Sequence, residues 1–146
     1  MGEGLINNIK DTFALPETDL RSYSPLTFAY IGDSIYALLA KSVIVGRGNC
    51  PAGRLHKDTV RYVSAVAQSK IYEYMLESGM LTEEEQDILR RGRNAKSHHS
   101  AKNASIEDYK MATAVEALFG WLYLRGDNDR MLELMKAGIG YLDEKE

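Results

Sequence analysis

One cysteine, Cys50, is the chain's whole supply of thiols. No disulfide can form within a single chain, and the reduced thiol fits a cytoplasmic setting. Only three prolines occur, Pro16, Pro25 and Pro51. All three sit at the edges of helical patterns, where a missing N–H is tolerated. No run alternates polar and apolar residues long enough to make a convincing strand. Long hydrophobic runs are also missing. The longest apolar patches, VIVG at 43–46 and LFGWLYL at 118–124, are too short for a membrane span, so no membrane partner is expected. The opening MGEGLINNIK lacks the apolar stretch of a secretory signal. No internal repeat or low-complexity segment appears. Neither sign of charge dominates, with 18 Lys and Arg against 21 Asp and Glu. By itself that balance argues mildly against a polyanionic partner.

A chain of 146 residues, 45% of them hydrophobic, can bury a core without covalent staples. Residues 1–146 are therefore read as one domain. Its pattern is helical almost throughout. A short first helix spans 4–13. A second opens at Ser24, a good N-cap, with Pro25 in the first helical position, and stops at Gly46. A long stretch covers 54–78, with a break expected near Ser64 and an end at Gly79. Thr82 and Glu85 have the spacing of a capping box that opens a helix to about Arg91. The polar segment GRNAKSHHSAKNA follows. Ser105 with Asp108 opens a helix to about Arg125, and a last amphipathic helix covers 129–142. The fold class is all-α, one domain of six or seven helices. Met75, Met80, Met131 and Met135 read as core filling.

Charge is segregated along the chain. Arg90, Arg91, Arg93, Lys96 and Lys102 stand in a stretch without acids, and Arg47, Arg54, Lys57 and Arg61 form a second basic group. Acids gather in TEEEQD at 82–87 and after Asp127. Such blocks are either ordinary solvated faces or a local footprint for phosphates.

Two helices stand out chemically. In the helix from Pro25, Phe28, Ile31, Ile35, Leu38 and Leu39 make one apolar stripe. The opposite face holds Ala29, Tyr30, Asp33, Ala37 and Ala40, a surface of small residues around a single carboxylate. Gly32 just before it implies the close approach of another backbone or of a ligand. The helix from Ile106 is apolar nearly all round, as in a central helix, yet carries Glu116 in its middle. Glu116 shares its stripe with Tyr109, Ala112, Thr113, Gly120 and Tyr123. A carboxylate in a buried helix needs a cation or strong donors, or it takes up a proton. No basic residue lies three or four positions from either acid. Three readings stay open: Asp33 and Glu116 face each other and bind a divalent cation, each has an ion-pair partner on another helix, or their placement is an accident of helix crossing.

FAYIGDSIY at 28–36 resembles the signature helix of the ribonuclease III family, and ATAVEALFGWLYL at 112–124 resembles that family's second signature helix. Ribonuclease III usually carries a Glu four residues before the first aspartate and an Asp three residues before the second-helix glutamate. Here those positions are Ala29 and Thr113. With LHKDTVRYVSAVAQSK at 55–70 and TEEEQDILRRGRNAKS at 82–97, these departures are similar to the Mini-ribonuclease III branch. RGRNAKS is its strongest marker. The likeness runs from about Ser24 to Leu124.

That resemblance implies a homodimeric, Mg²⁺-dependent endoribonuclease (Mn²⁺ as a substitute) acting on double-stranded RNA, with the 23S ribosomal RNA precursor as its cellular substrate and 5′-phosphate products. It implies Asp33 and Glu116 as catalytic and metal-binding residues. It leaves the number of metals open, with Glu73, Glu77 and Asp108 as unselected candidates for further ligands. Arg90, Arg91, Arg93 and Lys96, with His56 and Lys57, are the expected RNA contacts, since duplex RNA is read through phosphates and 2′-hydroxyls. Phe28, Ile31 and Ile35 are the expected dimer interface. His98 and His99, being adjacent, point apart and do not make a metal pair. Two rivals belong to other classes: a non-catalytic RNA- or protein-binding module on a degenerate version of this fold, and an α-helical nucleotide pyrophosphohydrolase, for which EEEQD at 83–87 is the only acidic run. Those acids open a helix, where they complement its dipole.

Overall fold

A computed structural model of the chain describes residues 4–96 and 105–145. Among the described residues there are seven α-helices, one short 3₁₀ turn and no strand: α1 (Gly4–Thr12), α2 (Pro25–Gly46), α3 (Ala52–Val63), α4 (Ala65–Ser78), α5 (Glu83–Asn94), α6 (Ile106–Leu124) and α7 (Asn128–Glu144). The all-α expectation holds.

The helix starts follow the local chemistry. Ser24 Oγ accepts from the Thr27 N–H at 3.2 Å, with Pro25 opening α2. The expected break falls at Ser64, which leaves helical geometry with ψ 155° and caps α4 by accepting from the Ala67 N–H at 3.1 Å. Gly79 closes α4 with φ +71°, a conformation that favours glycine. Thr82 and Glu85 form the reciprocal capping box of α5. Ser105 accepts from the Asp108 N–H at 3.0 Å to open α6.

α5 runs to Asn94, beyond the expected end near Arg91. The reason is Gly92, which is helical and packs against α6. A Cβ there would lie 2.9 Å from both Ala114 Cα and Ala117 Cβ. A glycine that reads as a loop residue is held in the helix by packing.

α6 is the axis of the molecule. From Ala112 to Tyr123 every residue is buried except Glu116, which is half-buried. α2, α5, α4 and α7 pack round it. The α2–α6 crossing is made by a reciprocal glycine pair. A Cβ on Gly32 would lie 1.7 Å from the Glu116 carbonyl oxygen, and one on Gly120 would lie 1.9 Å from the Phe28 carbonyl oxygen. Both distances are impossible for real atoms, so only glycine permits this approach. Of the two uses open for Gly32, it serves contact with another backbone.

Phe28 and Ile35 are buried within the chain's own core, and Ile31 is half-buried against it. Phe28 and Ile35 thus point inward, and the expectation that they form a dimer interface is corrected, since the core already uses their contact area; Ile31 keeps part of its surface. The large apolar residues that α2 exposes are Leu26, Tyr30, Leu38 and Val45. By length and composition alone α2 could cross a membrane, although no single run of its sequence suggested so. Here Phe28, Ile35, Tyr36, Ala40 and Ile44 along it are buried in the core.

One of the EEEQD acids does more than complement a helix dipole. Glu85 is buried and takes both arms of Arg130 from α7, at 2.8 Å from Nε and 2.7 Å from Nη2. Arg130 Nη2 also donates to the Met80 carbonyl at 2.7 Å. Hydrogen bonding to Arg130 and the Thr82 N–H outweighs burial and holds the Glu85 carboxyl below its ordinary range. Glu85 is therefore a structural tie between α5 and α7.

Candidate metal centre

The glycine-to-backbone contact fixes what lies beside it. Gly32 rests on the Glu116 carbonyl, so Asp33, the next residue of α2, comes to the Glu116 side chain. The two carboxyl groups interact by charge and by a hydrogen bond. Burial first, and then the negative charge of Asp33, push the Glu116 carboxyl up to about 8, against a lowering hydrogen bond from Gln68. Asp33 itself is exposed and only Glu116 is half-buried. The expectation of two buried acids is thus corrected. α6 is enclosed, whereas α2 turns its Asp33 face outward, and the pair opens to solvent on that side.

No ion pair among the described residues involves Asp33 or Glu116. That removes the reading in which each acid has a basic partner on another described helix. A half-buried carboxylate held beside a second one, without a neutralising side chain among the described residues, makes with it a donor set suited to a hard divalent cation.

A third helix enters through Gln68 of α4, which is 2% exposed. Its Nε2 donates to the Val63 carbonyl at 3.0 Å and to Glu116 Oε2 at 3.3 Å. Its Oε1 is buried with no hydrogen-bond partner. An oxygen acceptor left open on an amide that binds Glu116 is what an absent cation with its waters would complete, so the residues present fit Mg²⁺ or Mn²⁺. Sequence reasoning missed Gln68, because a glutamine inside a helix carries no signal until its neighbours are known. Among the described residues no third Asp, Glu, His or Cys joins the pair, so Glu73, Glu77 and Asp108 are not brought to it. Ala29 and Thr113 are buried, and the Thr113 hydroxyl donates to the Tyr109 carbonyl at 3.0 Å.

None of the expected RNA-contact residues forms an ion pair with Asp33 or Glu116 among the described residues. Arg90 pairs with Asp87, one helical turn back, and Arg93 with Glu107 at the start of α6. Arg91 is half-buried in a cleft of about 270 Å³ shared with Trp121 and Arg125. Lys96 at the end of α5, and His56 and Lys57 in the first turns of α3, are exposed. His98, His99 and Lys102 lie outside the described residues, as does most of the polar segment.

Residues 26–127 match the ribonuclease III domain family. The chain belongs to the ribonuclease III family. Within it, the similar proteins are of the Mini-ribonuclease 3 type. The Mini-ribonuclease 3 of a Thermoanaerobacter species is 38% identical and covers 99% of this chain and all of its own. That of Clostridium tetani is 42% identical over 86% of this chain and 83% of its own. A crystal structure of a Fusobacterium nucleatum protein superposes with a TM-score of 0.73 at 30% identity, covering 85% of this chain and 98% of that one. The chain is thus a ribonuclease III-type endoribonuclease by family. Both acids, Gly32 and Gly120 fall inside the matched segment.

Proposed function

We propose that this chain is a Mg²⁺-dependent endoribonuclease that cuts double-stranded RNA as a homodimer in the cytoplasm and matures the ends of the 23S ribosomal RNA precursor. The observation that carries the reading is the Asp33–Glu116 pair, two neighbouring carboxylates to which no described Lys, Arg or His forms an ion pair. A bound divalent ion would activate water and neutralise the phosphate. Asp33 and Glu116 would hold it, and the glycine-locked crossing of α2 and α6 keeps their spacing fixed. Exposed Asp33 leaves the open side of the pair free for a phosphodiester. Arg91, Lys96, His56 and Lys57, together with Arg90 and Arg93 where RNA competes with their acidic partners, would contact phosphates along the duplex.

Cutting both strands calls for two sites, and a two-fold dimer supplies them. Tyr30 supports an interface on the outer face of α2. It is 82% exposed, with Leu26 one turn before it and Asp33 three residues after it. Aromatic residues are enriched in protein–protein interfaces, and Tyr30 is the most exposed of the large apolar residues described. Sedimentation is expected to give a dimer at micromolar concentration, and Tyr30→Ala to shift it towards monomer. A parent monomer with full duplex-cutting activity overturns the dimer reading.

The deciding experiment is incubation with duplex RNA and with a 23S precursor fragment, with Mg²⁺ and with EDTA. Cleavage that needs Mg²⁺ and leaves 5′-phosphates is expected. Duplex binding without cleavage at any Mg²⁺ concentration would make the chain a binding module instead.

A further inference from the structure

Gln68 is the one described residue whose side chain is left incomplete in a buried position. Both hydrogens of its amide are committed, to the Val63 carbonyl and to Glu116 Oε2. Turning the amide over offers no relief, because its oxygen would then face the Val63 carbonyl, which can only accept. The orientation is therefore fixed by chemistry, and Oε1 remains a buried acceptor without a donor. Native proteins rarely leave such an atom unmatched, and a water or ion completing it is one of the few explanations.

We propose that Gln68 is a positioning residue of the metal centre: Nε2 fixes the Glu116 carboxylate, and Oε1 is the acceptor completed when a divalent cation and its waters bind. This rests on the metal reading of the Asp33–Glu116 pair. It supplies an uncharged acceptor next to Glu116 where no third acid is present among the described residues. A neutral amide suits that place, since another carboxylate beside Glu116 would add repulsion in the metal-free protein. The residue is also well anchored. Gln68 lies in the first turns of α4, just after the Ser64 cap, and its second hydrogen holds the last carbonyl of α3. Its head group is thus locked to the α3–α4 joint while it grips α6.

The test is Mn²⁺ binding by full-length protein, read from the electron paramagnetic resonance signal of the free ion. Gln68→Leu keeps a similar volume and removes both functions. With the fold intact by circular dichroism, its Mn²⁺ Kd is expected to rise roughly 10- to 100-fold, the range for loss of a group that orients a metal ligand. A Kd within about twofold of the parent, with only a lower melting temperature, would reduce Gln68 to a prop for Val63 and overturn the proposal. Asp33→Asn separates the two ideas. It is expected to abolish Mn²⁺ binding, and Mn²⁺ bound as tightly as by the parent would overturn the metal reading itself. Should Gln68→Leu not fold, the parent protein decides. On Mg²⁺ titration the ¹³C resonance of the Gln68 carboxamide is expected to move with the same midpoint as the Glu116 carboxyl carbon. A stationary Gln68 resonance beside a moving Glu116 resonance overturns the proposal.

Discussion

Glu116→Gln isolates the energetic consequence of placing two carboxylates together. The glutamine keeps the volume of the acid and mimics its protonated form, since its amide can still donate to Asp33. In the folded, metal-free protein the Glu116 carboxyl is pushed up to about 8 from an ordinary 4.5, first by burial and then by Asp33. Between those values the folded state holds a proton that the unfolded chain has released, so stability falls as pH rises. Below about pH 4.5 both states are protonated and the contribution is fully present; it is lost as pH climbs through about 8. At about 1.4 kcal/mol per pH unit the whole displacement sets a ceiling of about 5 kcal/mol. Water reaching this half-buried group lowers it, and about 1–2 kcal/mol is the expected size. In EDTA at pH 8.5 the variant should therefore melt about 3–6 °C above the parent, a gain that shrinks towards zero at pH 5. Mg²⁺ at pH 8.5 should raise the melting temperature of the parent and leave the variant unmoved. Differential scanning calorimetry across pH, with and without Mg²⁺, gives all of these values. A variant no more stable than the parent at pH 8.5, or one with an equal gain at pH 5, refutes the reasoning.

Asp33→Asn should leave a folded protein whose duplex cleavage drops by several orders of magnitude, because water activation depends on the ion; gel assays at saturating Mg²⁺ check it, and unchanged cleavage removes Asp33 from the site. Gly32→Ala places a methyl 1.7 Å from the Glu116 carbonyl oxygen, so α2 and α6 must separate. A loss of about 3 kcal/mol or more is expected by urea unfolding, with cleavage falling further than stability alone explains. The triple variant Arg91→Ala, Arg93→Ala, Lys96→Ala should weaken duplex RNA binding alike for all sequences and flatten the slope of log affinity against log salt by about 0.7–0.9 per lost phosphate contact. The Arg93–Glu107 pair makes Arg93 the weakest of the three. Binding in Ca²⁺ over a salt series measures the slope, and an unaltered slope takes these residues out of the RNA surface.

The α2 and α5 starts were legible because capping is local. Ser24 with Pro25, and Thr82 with Glu85, satisfy backbone groups within one turn, and that chemistry is written in consecutive letters. Gly79 could be read in the same way. The two acids were legible because a lone carboxylate is conspicuous on a helix of apolar and small residues. What could not be read was the direction of a face. Phe28, Ile31 and Ile35 form a stripe whether it meets the chain's own core or a second chain, and burial settled it for Phe28 and Ile35. The depth of each acid was equally hidden. Similar stripes surround Asp33 and Glu116, yet one is exposed and the other half-buried. Glu85 looked like one more acid of a first turn until Arg130 arrived from 45 residues away.

The sequence by itself determined the fold class, the places where most helices start and stop, and the pair of acids on which the proposed metal chemistry rests. All of these depend on side chains within a few residues of each other, or on periodicity along one helix. Only the tertiary structure decided that Gly32 and Gly120 interlock, that Gly92 prolongs α5, and that the Gln68 amide reaches Glu116 with its oxygen unmatched. Each of those depends on the distance between atoms of different helices, and a backbone approach or an unmatched amide oxygen exists only once the helices have packed.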